Sequence, residues 1–63
     1  MKAKGAFLFV GGGVDKETAK SVIESKYMDL YVAGCKNYAE AEEIARALAA
    51  DGCMMIELCA GFG

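Results

Sequence analysis

Asp15-Lys16-Glu17-Thr18-Ala19-Lys20-Ser21-Val22-Ile23-Glu24 stands between two apolar runs, and its reading sets the class of fold. Asp15 has the short acceptor side chain favoured at a helix N-cap. Ala19, Val22 and Ile23 fall at the spacing of one helix face, while Lys16, Glu17, Lys20 and Glu24 lie largely on the other. The stretch therefore reads as an amphipathic helix.

Upstream, Ala6-Phe7-Leu8-Phe9-Val10 is apolar without alternation and is bounded by Gly5 and by Gly11-Gly12-Gly13. Such a run fits a strand covered on both faces, as in parallel sheets. Downstream, Leu30-Tyr31-Val32-Ala33 is a second short strand ending at Gly34. Asn37, with Glu40 three residues on, forms a variant of the capping box. Ala41, Ile44, Ala45 and Leu48 mark the stripe of the helix that follows, and Asp51-Gly52 closes it. Cys53 to Ala60 is a third strand, with Gly61-Phe62-Gly63 as its tail. The order is β-α-β-α-β. It predicts an α/β fold with a three-stranded parallel sheet, strand order 2-1-3, joined by right-handed crossovers.

Composition narrows the setting. At 63 residues the chain reads as one small domain, spanning 1–63. A domain of this size buries only about 60% of its unfolded surface. Its 56% hydrophobic content exceeds the roughly 45–50% of an ordinary soluble domain, which implies surface meant for another chain. Lys+Arg 7 against Asp+Glu 9 gives a net charge of −2, so there is no basic field to attract nucleic acid or an acidic membrane. Cys35, Cys53 and Cys59 are an odd set, and histidine is absent. Neither a disulfide framework nor a zinc site is expected, and no metal or cofactor is implied. Reduced thiols point to the cytoplasm. Met1-Lys2-Ala3-Lys4 and the apolar run after it look superficially like a signal peptide. The run is too short for the ~18 residues of a membrane span, and Gly11-Gly12-Gly13 breaks it without a cleavage site.

Both outer strands of such a sheet expose backbone, and in the third only Glu57 interrupts the apolar run. A homo-oligomer would cover these edges and the thinly covered sheet. The chain thus reads as a homo-oligomerising module with no catalytic set of its own. The alternative is a binding or enzymatic domain for a small anionic ligand.

In parallel α/β folds ligands lie outside the carboxyl ends of the strands. Here that rim comprises Gly11, Gly12, Gly13, Lys36, Asn37, Cys59, Gly61 and Gly63, which are the candidate ligand-binding residues. The triple glycine could offer amides to a phosphate, although Lys16 stands where a dinucleotide fingerprint has its third glycine. Asp15 as a cap would compete for the same amides. Glu57 is the candidate acid or base, because a carboxylate within an apolar strand is costly to bury unpaired. By alternation it shares a face with Met55 and Cys59. Cys35 lies at the same rim, with no histidine to activate it.

Lys4-Gly5-Ala6-Phe7-Leu8-Phe9-Val10 and Ile56-Glu57-Leu58-Cys59-Ala60-Gly61-Phe62-Gly63 resemble a family of short, uncharacterised bacterial and archaeal proteins, a domain of unknown function. Its members share a KGAFIFV-like start and an ELCGGFG-like motif. The resemblance covers essentially the whole chain; it implies a small α/β protein and supplies no activity. Members of that family continue past the GFG motif into another helix and strand, so the resemblance implies a fragment or a shortened form. A weaker likeness links the Ala-rich helix, the Asp51-Gly52 turn and Ile56-Glu57-Leu58 to a quarter of a (β/α)8 barrel, as an analogy of fold only.

Overall fold

A computed structural model describes residues 2–62. The element order is β1 (Ala3–Val10), β2 (Lys20–Glu24), β3 (Met28–Cys35), α1 (Tyr38–Ala50) and β4 (Met55–Leu58). They form one four-stranded sheet in the order β2-β3-β1-β4, with α1 against β1 and β3 on one face. β1 pairs in parallel with both β3 and β4, and β2 pairs antiparallel with β3.

The sheet is therefore mixed and carries one helix, which corrects the expected three-stranded parallel β-α-β-α-β arrangement with two crossovers. β1 does lie between β3 and β4, but the path from β1 to β3 runs through an antiparallel hairpin instead of a crossover helix. The difference lies in the Asp15–Glu24 stretch. Asp15 caps a single turn: its Oδ1 accepts from Glu17 N at 2.9 Å, and its carbonyl accepts from Thr18 N and Ala19 N at 3.1 and 2.8 Å. Beyond that turn Lys20, Val22 and Glu24 alternate with Ser21 and Ile23, and adjacent β-branched residues suit a pleated strand. Ala19, Val22 and Ile23 span barely one helical turn, too short a stretch to fix the period, and in the strand Val22 and Ile23 fall on opposite faces. The free edge of β3 decides between them, because a strand there satisfies backbone groups that a helix would leave open.

Ser25 N donates to Met28 O at 2.9 Å, so the hairpin turns on Lys26 and Tyr27. Neither residue has positive φ, which explains why no Asn-Gly or Gly signal announces the turn.

Side-chain parity follows from the registers. Ala6, Leu8 and Val10 of β1, Ala33 and Cys35 of β3, and Ile56 of β4 face α1. There Leu8, Ala33, Cys35 and Ala41 form the buried core, with Ile44, Ala45 and Phe62 packed around it. Leu8 and Cys35 are its largest fully buried side chains. The opposite face carries Phe7, Phe9, Leu30, Val32, Met55, Ile23 and Glu57. The Phe9 ring lies so close over Gly34 that a Cβ there would collide with it.

The helix ends follow local rules. Asn37 Oδ1 accepts from Glu40 N at 2.9 Å, while the Glu40 carboxylate reaches back to Lys36 N at 3.1 Å. At the far end Cys53 N bonds Leu48 O and Gly52 N bonds Ala49 O, at 2.9 and 3.1 Å, with Gly52 at φ +90°. This is the Schellman pattern. Two ion pairs tie the amino end of β1 down. Lys4 Nζ reaches Asp51 Oδ2 at 3.2 Å, and Lys2 Nζ lies 2.7 Å from the buried Asp29 Oδ1, a contact carried by charge more than by hydrogen-bond alignment.

Candidate functional site

The carboxyl ends of β1, β3 and β4 do meet, and the chain itself stitches them together. Gly11 N donates to Cys35 O at 2.9 Å, Val10 N to Ala60 O at 3.0 Å, and Cys59 N to Leu8 O at 2.8 Å. Over this rim Tyr38 stacks on Phe62, with centroids 5.5 Å apart and the planes 7° from parallel, and the Tyr38 hydroxyl donates to Gly61 O at 3.1 Å. Gly61 adopts φ +89°, and a Cβ there would overlap the Val10 carbonyl. This turn thus serves close backbone packing.

Beside it lies a small cleft of about 260 Å³, lined by Gly13, Val14, Asp15, Lys16, Glu17, Lys36 and Glu40. Gly13 and Lys36 are brought together here, while Gly11, Gly12, Asn37, Cys59 and Gly61 lie outside its lining. Asn37 uses its side-chain oxygen as the helix cap. Gly63 lies outside the described residues. Three carboxylates face two amines in this cleft, and Lys16 is already paired with Glu43 at 2.9 Å. That carboxylate, as hydrogen-bond acceptor first and as charge second, raises the Lys16 ammonium above the ordinary lysine value.

Glu57 stands apart from the cleft. It is exposed on β4, opposite Phe7, on the face of the sheet away from α1. Cys35 is buried; its Sγ lies 3.6 and 3.5 Å from the carbonyl oxygens of Phe9 and Asn37. Cys59 is exposed and Cys53 partly so, and all three are free thiols. Among the described residues no group of three or more His, Cys, Asp or Glu side chains is placed to hold a metal ion.

The larger concavity is elsewhere. One helix cannot span four strands, and α1 leaves β2 uncovered. A groove of about 660 Å³ remains between the helix and β2–β3, with Val22, Tyr31, Ile44 and Leu48 in its lining and Lys16, Lys20 and Glu43 among its charged residues. Sequence reading missed this groove, because it depends on β2 being a strand. It missed the Tyr38–Phe62 stack as well, although an aromatic just after the Asn37 cap and another between two glycines were visible.

A family model described as a family of unknown function, DUF6506, matches residues 3–63. The chain belongs to that family. No curated protein and no solved structure matches this DUF6506 chain. Among its described residues no helix is long and apolar enough to cross a membrane.

Proposed function

We propose that this DUF6506 chain is a single small domain whose working form is a homo-oligomer, with a second copy covering the sheet face that α1 leaves bare. One observation carries this reading. Phe7, Phe9, Leu30 and Val32 lie side by side on that face, bordered by Ile23 and Met55, which are 56% and 49% exposed. No second helix stands over them among the described residues. A folded monomer of 6.6 kDa has a surface of about 3,900 Å² by size scaling, whereas this chain exposes 4278 Å². Covering an apolar face of this kind is the ordinary driving force for self-association. Glu57 borders the patch as an edge charge that limits indiscriminate strand pairing. Free thiols on the surface fit a reducing compartment such as the cytoplasm.

Placing a cation within the patch tests this. Val32→Lys is expected to at least halve the mass measured by light scattering, with the far-UV circular dichroism unchanged. Glu57→Val removes a desolvation cost and is expected to tighten association about tenfold. An unchanged mass in both variants rejects the covered-face reading.

A second reading, a small anionic ligand at the strand-end rim, draws on the meeting of Gly13 and Lys36 in one cleft. In it the glycine turns would supply amides, whereas Glu57, on the opposite face of the sheet, lies too far from the cleft to act as the acid or base. Inorganic phosphate titrated into the labelled protein is expected to move the Gly12, Gly13 and Lys36 amide signals together. Unmoved signals at millimolar phosphate reject that reading.

A further inference from the structure

We infer that the free edge of β2 is a second self-association surface, pairing antiparallel with β2 of another copy about a two-fold axis through Val22. The inference rests on the reading of the chain as self-associating, but on a different surface from the bare sheet face.

The β2–β3 ladder fixes which backbone groups of β2 face outward. Gly34 N donates to Ala19 O and Ser25 N to Met28 O, and both pairs belong to the register that sets Lys20 opposite Ala33 and Glu24 opposite Asp29. In an antiparallel ladder hydrogen-bonded pairs alternate with non-hydrogen-bonded ones. Ser21 and Ile23 therefore turn their backbone groups toward β3, and Lys20, Val22 and Glu24 turn theirs outward. Lys20 N is already taken by Thr18 O at 2.9 Å. The edge is left with the N–H and C=O of Val22 and Glu24 and the C=O of Lys20.

The sequence of the edge is complementary to itself. Read antiparallel, Lys20-Ser21-Val22-Ile23-Glu24 sets Lys20 against Glu24, Ser21 against Ile23, and Val22 against its own copy. The two Val22 residues exchange two hydrogen bonds, and each Glu24 N donates to the partner's Lys20 carbonyl. The one outward N–H without a role in this ladder, that of Lys20, is the one already bonded within the chain. By side-chain parity Lys20, Val22 and Glu24 share one face, so each end of the junction gains an opposite-charge pair beside a Val–Val contact. All of β2 is exposed, with Val22 at 45%.

The other sheet edge lacks this property. Met55–Leu58 of β4 carries one charge, Glu57, so no self-pairing register of β4 gains an opposite-charge pair. An isologous contact through β2 closes on itself, joins two sheets into one of eight strands, and runs the groove beside β2 into the partner's groove.

Proline provides the sharpest test. The Val22 N–H does not serve β3, and edge strands accept proline where the N–H faces solvent. Val22→Pro is expected to keep the far-UV spectrum while weakening association at least tenfold in sedimentation equilibrium. Lys20→Glu should weaken it about tenfold by opposing like charges, and adding Glu24→Lys should restore it. With Cys53 and Cys59 changed to serine, Val22→Cys should form a disulfide dimer on mild oxidation. A hydrogen-bonded antiparallel pair sets its Cα atoms about 5.5 Å apart, within the range a disulfide spans. If the natural chain assembles while Val22→Pro keeps its affinity and Val22→Cys fails to cross-link, the β2 junction is wrong and the covered-face reading stands. If the natural chain stays monomeric at every concentration, both fail.

Discussion

Gly61 and Gly52 have nearly the same backbone conformation, at φ +89° and +90°, in very different surroundings. A Cβ at Gly52 meets nothing within 4 Å, whereas at Gly61 it overlaps the carbonyl of Val10. Gly52→Ala should therefore carry only the cost of a left-handed alanine, about 1–2 kcal/mol. Gly61→Ala carries that same cost and must also push the 60–62 turn off the end of β1. The displacement strains or breaks the Val10 N to Ala60 O bond, the Tyr38 hydroxyl to Gly61 O bond and the Tyr38–Phe62 stack. A hydrogen bond is worth about 0.5–1.5 kcal/mol net, and an aromatic pair about 0.5–1.5 kcal/mol. Water replaces part of this at an exposed rim, so the excess over Gly52→Ala is about 1–3 kcal/mol. A domain of this length has roughly 3–9 kcal/mol in all, so Gly61→Ala should be visibly unstable. Urea unfolding followed by far-UV circular dichroism, with all proteins at one concentration, measures the difference. Equal destabilisation of the two variants, within about 0.5 kcal/mol, would refute the packing assigned to the Gly61 turn.

Three further outcomes are expected. Leu8→Ala, at a residue only 1% exposed, should lose about 2–5 kcal/mol, read as a large fall in the urea midpoint. Lys4 and Lys16 have their pKa values raised above 10.5, chiefly by hydrogen bonds to the side chains of Asp51 and Glu43, and Lys2 is raised by the Asp29 carboxylate beside it. Their contribution is fully present below 10.5 and falls as pH rises through the folded-state values. Melting temperature should hence decline above that point, less steeply in high salt, and a rise there would contradict the three pairs. Alkylation followed by mass spectrometry should modify Cys59 first and spare Cys35 until the core opens, because Cys35 is buried and Cys59 exposed.

The sequence carried its own evidence unevenly. Continuous apolar runs at Ala6–Val10 and Leu30–Ala33 fall inside β1 and β3, and Asn37 and Gly52 bracket α1, because strand burial and helix caps are local properties. Asp15–Glu24 carries only three apolar positions at helical spacing, barely one turn, and the pairing edge of β3, which no local pattern describes, outweighs them. The hairpin turn at Lys26-Tyr27 has none of the glycine or asparagine that usually marks one. The site suffered from the same cause. Glu57 and the glycine rim read as one neighbourhood in sequence, yet strand parity puts Glu57 on the face opposite α1, away from the Gly13–Lys36 cleft. The groove beside β2 exists only because Lys20–Glu24 is a strand, so no helical reading of that segment contains it.

Sedimentation equilibrium on the natural chain over a wide concentration range tests the central claim most directly. Self-association predicts a mass at a multiple of 6.6 kDa at micromolar concentration, falling toward the monomer on dilution and accompanied by a loss of thermal stability. A mass of 6.6 kDa at every concentration up to millimolar, with a cooperative unfolding transition that does not depend on concentration, would contradict it.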